Sequence, residues 1–326
     1  MLIHFTSKIL IAACLSISTL AIAEPLEQAI YAFKAGKIEQ AINLFLEQEN
    51  NPEAMLYLAK IYMSSDLDKA EDWIVKTVKN QPDNAEAHYF FGRIMGGQAQ
   101  NSVFSALSYA GKSLDGFTQA VALKPDLIVY RTALMQFHIQ APSIAGGDIK
   151  IAKQQIVKIK ELDAVAGLKV EIDFASSEED NQVVEQLVAH GQSTYPDIPD
   201  FFFIAGTIYQ QQENYPQAVT QLSEAATKTA VTEESIKAKY TALYLLGRIA
   251  LLTEKRIESG IKSLNQYMTQ APNLLGMPPK SWVEFFLANL LVLNSQAPEA
   301  LSIYLRLAKS DNKELAKQAK KATKKI

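Results

Sequence analysis

Imidazole is the side chain best suited to proton transfer near neutral pH, and it is a common metal ligand. The chain has four histidines, His4, His88, His138 and His190. None is followed three or four residues later by a second ligating side chain, so no helix would carry a two-ligand metal pair. The sequence contains no His-Glu-x-x-His, no Gly-x-Ser-x-Gly and no phosphate-cradling loop; neither Gly96-Gly97 nor Gly146-Gly147 leads into Lys-Ser/Thr. The acidic pairs Glu178-Glu179 and Glu233-Glu234 fall in expected loops, where they read as solvated charge rather than as a catalytic dyad. These residues predict a protein that is not an enzyme and has no metal site and no cofactor. What it can bind then depends on how its elements present their cations and aromatic rings.

The first residues carry an export pattern. Lys8 precedes an apolar stretch from Ile9 to about Leu20, and Ala21-Ile22-Ala23 puts small residues where a signal peptidase inspects the chain. The pattern predicts a signal peptide over 1–23, cut after Ala23, and a periplasmic destination. The stretch is short of the roughly 20 apolar residues a membrane span needs. Ile11-Ala12-Ala13-Cys14 also fits a lipoprotein box. That is the minor alternative, because only Ile9 to Ala13 would precede the cut, where about 7–15 apolar residues are usual. Cys14 is the one cysteine, so the chain after Ala23 has neither disulfide nor thiolate chemistry, and it holds no Asn-x-Ser/Thr sequon.

At 326 residues, with 48% apolar and 21% charged side chains and 14 Gly, the chain reads as globular and helix-forming. Without residues 1–23 its net charge is −4, and Lys309–Ile326 alone carries seven Lys against Asp311 and Glu314. The body is therefore acidic, which argues against nucleic acid as a partner.

One pattern recurs along this body. Ala205-Gly206-x-x-Tyr209 is followed by Ala218-x-x-x-Leu222-x-x-Ala225. Leu58-Ala59-x-x-Tyr62 precedes Ala70, Ile74 and Pro82; Phe91-Gly92-x-x-Met95 precedes Ser113, Phe117, Ala120 and Pro125; Leu246-Gly247-x-x-Ala250 precedes Gly260, Leu264, Tyr267 and Pro272. Ala29, Ala32, Gly36, Ala41 and Phe45 repeat it at one end, and Ala300, Tyr304 and Leu307 at the other. Pro52, Pro82, Pro125, Pro196 and Pro272 punctuate it at intervals of 30, 43, 71 and 76 residues. The last two intervals are two units each, with Leu162 and Thr229 near the missing punctuation.

This arrangement resembles the tetratricopeptide repeat, a helix–turn–helix unit of about 34 residues. The resemblance implies an all-α fold, a right-handed superhelical solenoid of about eight hairpins over 24–308, whose first helices line the inner surface. The units run 24–51, 52–82, 83–125, 126–162, 163–196, 197–230, 231–272 and 273–308, with those ending at 162 and 196 weakly marked. Small residues such as Gly92, Gly206 and Gly247 let paired helices approach, and Phe45, Phe117, Leu222 and Tyr304 fill the space toward the next unit. Gly96 to Lys112 reads as an insertion between the helices of the third unit, and Ala141–Asp148 as a tight non-helical connection with Asp148 as N-cap.

The resemblance also implies a partner-binding groove, one helical turn on either side of each small position. It names Lys60, Tyr89, Arg93, Gln136, Phe203, Thr207, Tyr244, Arg248, Phe285 and Asn289. Arg93 and Arg248 each follow the small Gly directly and are expected to point into the groove, where Arg beside aromatics suits a protein or peptide partner. The Lys/Asn carboxylate clamp of the chaperone-binding branch is missing, since Leu26 and Ile30 stand at its first positions. Residues 309–326 read as a Lys-rich capping helix, with contact to an anionic membrane as the less favoured reading. The expected function is a periplasmic scaffold for envelope proteins, with cell-envelope assembly or maturation as its setting. The alternatives are a membrane-associated structural factor and an enzyme with a site in the enlarged third and fourth units.

Overall fold

The computed structural model describes residues 25–274 and 276–326; the expected signal peptide, Cys14 and His4 lie outside them. Among the described residues every regular element is helical, and no helix is long and apolar enough to cross a membrane. The chain divides into two compact units, one ending at Ala152 and the other spanning Lys153–Ile326.

The first unit holds α1 (Pro25–Lys34), α2 (Ile38–Leu46), α3 (Pro52–Tyr62), α4 (Leu67–Asn80), α5 (Ala85–Asn101), α6 (Ala106–Leu123) and α7 (Ile128–Gln140). The boundary falls inside α8 (Ile149–Leu162). The second unit continues with α9 (Ala164–Ser177), α10 (Asn181–Thr194), α11 (Pro199–Gln211), α12 (Tyr215–Thr227), α13 (Glu233–Thr253), α14 (Ile257–Gln270), α15 (Lys280–Leu293), α16 (Ala297–Leu307) and α17 (Lys313–Ala322). Each unit is a helical-repeat solenoid: successive helices pack as antiparallel hairpins, and the first helix of one hairpin also touches the first helix of the next, as in α3 on α5 and α11 on α13.

Local chemistry sets the helix ends. Asn51, Asp66, Asn84, Asp163, Asp180, Asn214, Thr232 and Asn312 each accept a backbone N–H of the first turn that would otherwise lack a partner. Four hairpins close with one turn geometry. Gly36, Glu179, Glu213 and Ser295 have φ between 58° and 74°, and the next residue's N–H reaches back to a carbonyl five positions earlier. These are left-handed helix stops of the Schellman kind. Only one of the four is Gly, so the turn is held by its hydrogen bonds and by the packing on either side.

The small residues set how closely paired helices approach. A Cβ on Gly92 would lie 2.7 Å from the Phe117 ring, one on Gly206 2.6 Å from Leu222 and one on Gly247 2.4 Å from Leu264. Phe45, Leu222, Leu264 and Tyr304 are buried at matching places in their own hairpins, and Phe45 stacks on Tyr57 at 5.0 Å between ring centres. At the C-terminus α17 turns Leu315, Ala316 and Ala319 inward onto α16 and α15, with its lysines exposed.

Two expectations are corrected. Gly96 to Lys112 is not inserted between helices: α5 runs through to Asn101, α6 starts at Ala106, and only residues 102–105 join them. Gly96-Gly97 stays helical because Cβ positions there would lie 3.2 Å from Ser113 and from Leu67. The close packing outweighs a helix cost of roughly 1 kcal/mol per Gly. Glu233-Glu234 is not in a loop but in the first turn of α13, where acids suit the helix dipole and Glu233 pairs with Lys237 at 2.6 Å. The 141–148 connection is non-helical apart from a single 3-10 turn at Ser143–Ala145; Gly146 has φ 94°, and Asp148 accepts from Lys150 N–H.

Between α5 and α6 the approach is backbone on backbone. A Cβ on Gly116 would lie 2.7 Å from the amide nitrogen of Gly92, which has no side chain to move aside, whereas one on Gly111, on the same helix, would meet nothing within 4 Å. Gly116→Ala is expected to destabilise the chain by about 2 kcal/mol, the usual cost of forcing bulk into a packed contact. Gly111→Ala is expected to stabilise it by up to ~1 kcal/mol through helix propensity. Urea-unfolding midpoints of the two variants check the contrast, and equal midpoints would refute it.

Candidate binding surfaces on the first helices

In the first unit the cations and rings form a connected set. Lys60, on α3, pairs with Glu86 on α5 at 2.7 Å and lies over the rings of Tyr57 (4.7 Å) and Phe90 (4.9 Å). Arg93, one turn beyond Phe90, lies over Phe90 (5.6 Å) and Tyr89 (5.7 Å), and Tyr89 meets Tyr130 of α7 at 5.1 Å. Phe90 is thus shared by the two cations. Gln136, on α7, is exposed and shares a cleft of about 530 Å³ with Tyr89 and Arg93.

The second unit repeats part of this set. Arg248 donates from Nη1 to the Tyr244 hydroxyl at 2.8 Å and lies 4.3 Å from the centre of the Phe286 ring, which Trp282 stacks against at 6.1 Å. Tyr244 and Arg248 therefore act together with α15. Phe203 is partly buried against the core between α12 and α13, and the Thr207 hydroxyl donates to the Ile204 carbonyl of its own helix. Neither joins the Arg248 group. Asn289 does not join it either, whereas Phe285 packs edge-on against Trp282 (5.9 Å) and Phe286 (5.8 Å). Phe285 is buried, 5.7 Å from Tyr304, and Asn289 accepts a hydrogen bond from the Tyr304 hydroxyl. Both line a separate cleft that Lys317 and Lys321 of α17 flank. Burial pushes the Tyr304 hydroxyl up to about 12.

The two arginines differ from their neighbours in what they hold. The charge of Lys60 is balanced by Glu86, and that of Arg306 by Glu284 through two hydrogen bonds. Arg93 and Arg248 are exposed, and among the described residues neither has a carboxylate partner. Each guanidinium lies within cation–π range of two rings and keeps N–H donors for an incoming anion.

The reading by sequence position missed Tyr57, Phe90, Tyr130, Trp282 and Phe286. It counted one turn on either side of each small position, which takes in Tyr89 and Arg93 about Gly92 but passes over Phe90, three before Arg93 on the same face. It also missed a buried polar pin in the second unit. Asp200 on α11 accepts from Lys169 of α9 at 2.8 Å and from the Ser235 hydroxyl of α13 at 2.5 Å. Asp200 and Ser235 are buried, so the pin ties three first helices together and offers nothing to a partner. Among the described residues no cluster of three metal-ligating side chains is present.

Helical hairpins in one repeated register, presenting cations on aromatic faces of their first helices, define a helical-repeat binding protein. Residues 26–85 and 205–274 match the family described as tetratricopeptide repeat. A comparison with curated proteins yields no match. Among solved structures, a tetratricopeptide repeat protein from Parabacteroides merdae is similar at 14% identity over 82% of this chain and 98% of that one, with a TM-score of 0.45. Yeast Tom70 is similar at 13% identity over 92% and 94%, with a TM-score of 0.39. PilW, a widely conserved type IV pilus biogenesis factor, is similar at 15% identity over 82% and 97%, with a TM-score of 0.36.

His138 sets the shape of one wall of the first-unit cleft. Its buried Nδ1 lies 3.1 Å from the Gly146 carbonyl, and its ring packs edge-on to Phe137. Burial lowers its pKa below 6.5, with the Gly146 hydrogen bond opposing the shift. The neutral ring therefore contributes stability that is complete above pH 6.5 and is lost as pH falls through the lowered folded value. Melting temperature is expected to drop between pH 7.5 and pH 5.5 by more in the wild type than in His138→Gln; an equal drop would show that His138 does not carry this effect.

Proposed function

We propose that this chain is an exported scaffold of the bacterial envelope that holds protein partners on its first helices, with Arg93 and Arg248 as the anchoring cations. Tetratricopeptide repeats build protein–protein interaction scaffolds, and the presented side chains suit that use. The observation that carries the reading is the pair of arginines. Each follows the small Gly of its helix, Arg93 lies by the rings of Tyr89 and Phe90 and Arg248 by those of Tyr244 and Phe286, and neither is neutralised by a carboxylate among the described residues. Arg and aromatic side chains are over-represented among interface residues that dominate binding energy. Export is supported by the sequence alone, through Lys8, the apolar stretch from Ile9 and Ala21-Ile22-Ala23. The chemistry of the arginines suits a protein partner that presents carboxylates.

Affinity capture from a periplasmic extract, with the wild type and an Arg93→Ala/Arg248→Ala variant as baits, tests this. Both side chains are exposed, so the variant is expected to melt at the wild-type temperature. Its specific partners are expected to bind at least tenfold more weakly, from a loss of about 2 kcal/mol for an anchoring Arg. Retention of every partner by the variant would remove the arginines from the binding role.

A further inference from the structure

The cleft of the first unit is more than a stretch of groove. α5 and α6 are 17 and 18 residues long, while α1 to α4 have 9 to 14. Their inner sides are lined by Gly96, Gly97, Ala106 and Ala110; Ala133 of α7 and Ala145 of the connection line the facing wall. Small side chains on both walls leave the space of about 530 Å³ open. Water has a liquid volume of about 30 Å³ per molecule, so the cleft admits a few large side chains and not a whole helix.

Leu107, which lines the cleft, is exposed. Val103 and Phe104, in the link that leads into Ala106 and Leu107, are 87% and fully exposed, and Ile144, next to the lining residue Ala145, is 79% exposed. Large exposed apolar side chains that adjoin a concavity mark an interaction site. One charged side chain lines the cleft: Arg93, which lacks a carboxylate partner.

We propose that this cleft docks the apolar face of an acidic amphipathic helix from a partner protein, with one carboxylate of that helix against Arg93. The proposal rests on the scaffold reading above and names the partner for this part of it. Three observations select a helix. The walls are helices whose backbone groups are already paired, so an extended segment would find no strand edge to add to. A helix satisfies its own backbone and needs only pockets for side chains at i, i+3 or i+4, and i+7, which a small-residue trough adjoined by exposed apolar side chains supplies. A fatty acyl chain would fit the volume and Arg93 but would leave Val103 and Phe104 in water. Charge complementarity selects the acid, because an apolar surface laid over Arg93 without one would strip water from an unpaired cation.

Panning a random 16-residue peptide library on the full chain tests the proposal, with Phe104→Asp/Leu107→Asp protein as the counter-selection. Both positions are exposed, so that variant keeps its fold. Enriched peptides are expected to carry apolar residues at helical spacing plus an Asp or Glu, and to bind the variant at least tenfold more weakly. Arg93→Glu is expected to reject these peptides and to accept, at least tenfold better, versions in which the acid is replaced by Arg. No enrichment, enrichment without helical spacing, or equal binding to the Phe104→Asp/Leu107→Asp variant would each overturn the proposal. Palmitate binding more tightly than any enriched peptide would assign the cleft to an acyl chain and overturn it too. Extract capture that depends on Arg93 and Arg248, with no peptide enriched, would defeat the helix assignment alone. Peptides behaving as stated beside unchanged capture would support the helix and defeat the scaffold reading alone.

Discussion

How closely two helices of a hairpin can approach is the constraint on which both units rest. A single hairpin cannot bury its own apolar face, so each must press large side chains into its partner helix and into the next hairpin. Gly92 under Phe117, Gly206 under Leu222 and Gly247 under Leu264 are the same solution used three times. Once that spacing is set, the residue following each Gly is carried round by one helical step, out of the contact. The exposed arginines at 93 and 248 are therefore products of the same register that makes the core. The exposed face of a first helix is positioned by the residues buried behind it.

That coupling explains what could be read before the structure. Small-then-large spacing and proline punctuation report directly on helix approach and helix ends, and both are local. The helical nature of the fold and the positions of Arg93 and Arg248 followed from them. Gly96-Gly97 was misread because two glycines signal a break only where nothing else holds the helix, and here Ser113 and Leu67 press against it. The last hairpin has α17 against it instead of another first helix, so the cleft that Phe285 and Asn289 line is bordered by the cap. The Asp200 pin was illegible because its three members lie more than thirty residues apart along the chain and follow no local spacing.

The cations divide by environment. Lys60 and Arg306 bridge between helices, each matched to a glutamate, and so stiffen the array at the modest value of exposed ion pairs. Arg93 and Arg248 are matched to rings instead. A ring face restrains a guanidinium without accepting its in-plane N–H groups, of which Arg248 gives one to the Tyr244 hydroxyl, so the conformational entropy of a long side chain is partly lost before any partner arrives. Such an arginine is poorly used by the free protein and well prepared for an anion.

The enlarged third hairpin extends the same logic from charge to shape. Lengthening α5 and α6 while keeping Gly and Ala along their facing sides adds wall without adding filling. Exposing Phe104 and Val103 at the far end is unfavourable for a chain that stays alone in water, by roughly 25 cal/mol for each Å² of apolar surface left uncovered. Nothing in the hairpin's own packing requires apolar residues there, because a four-residue link joins its helices with its side chains free of the core. A polar link would close the same turn. The choice of Val and Phe in the link adjoining a cleft whose one charge is an unpaired arginine therefore makes physical sense when the link and the cleft are covered together, and a cover that is apolar along one side and anionic at one point satisfies both.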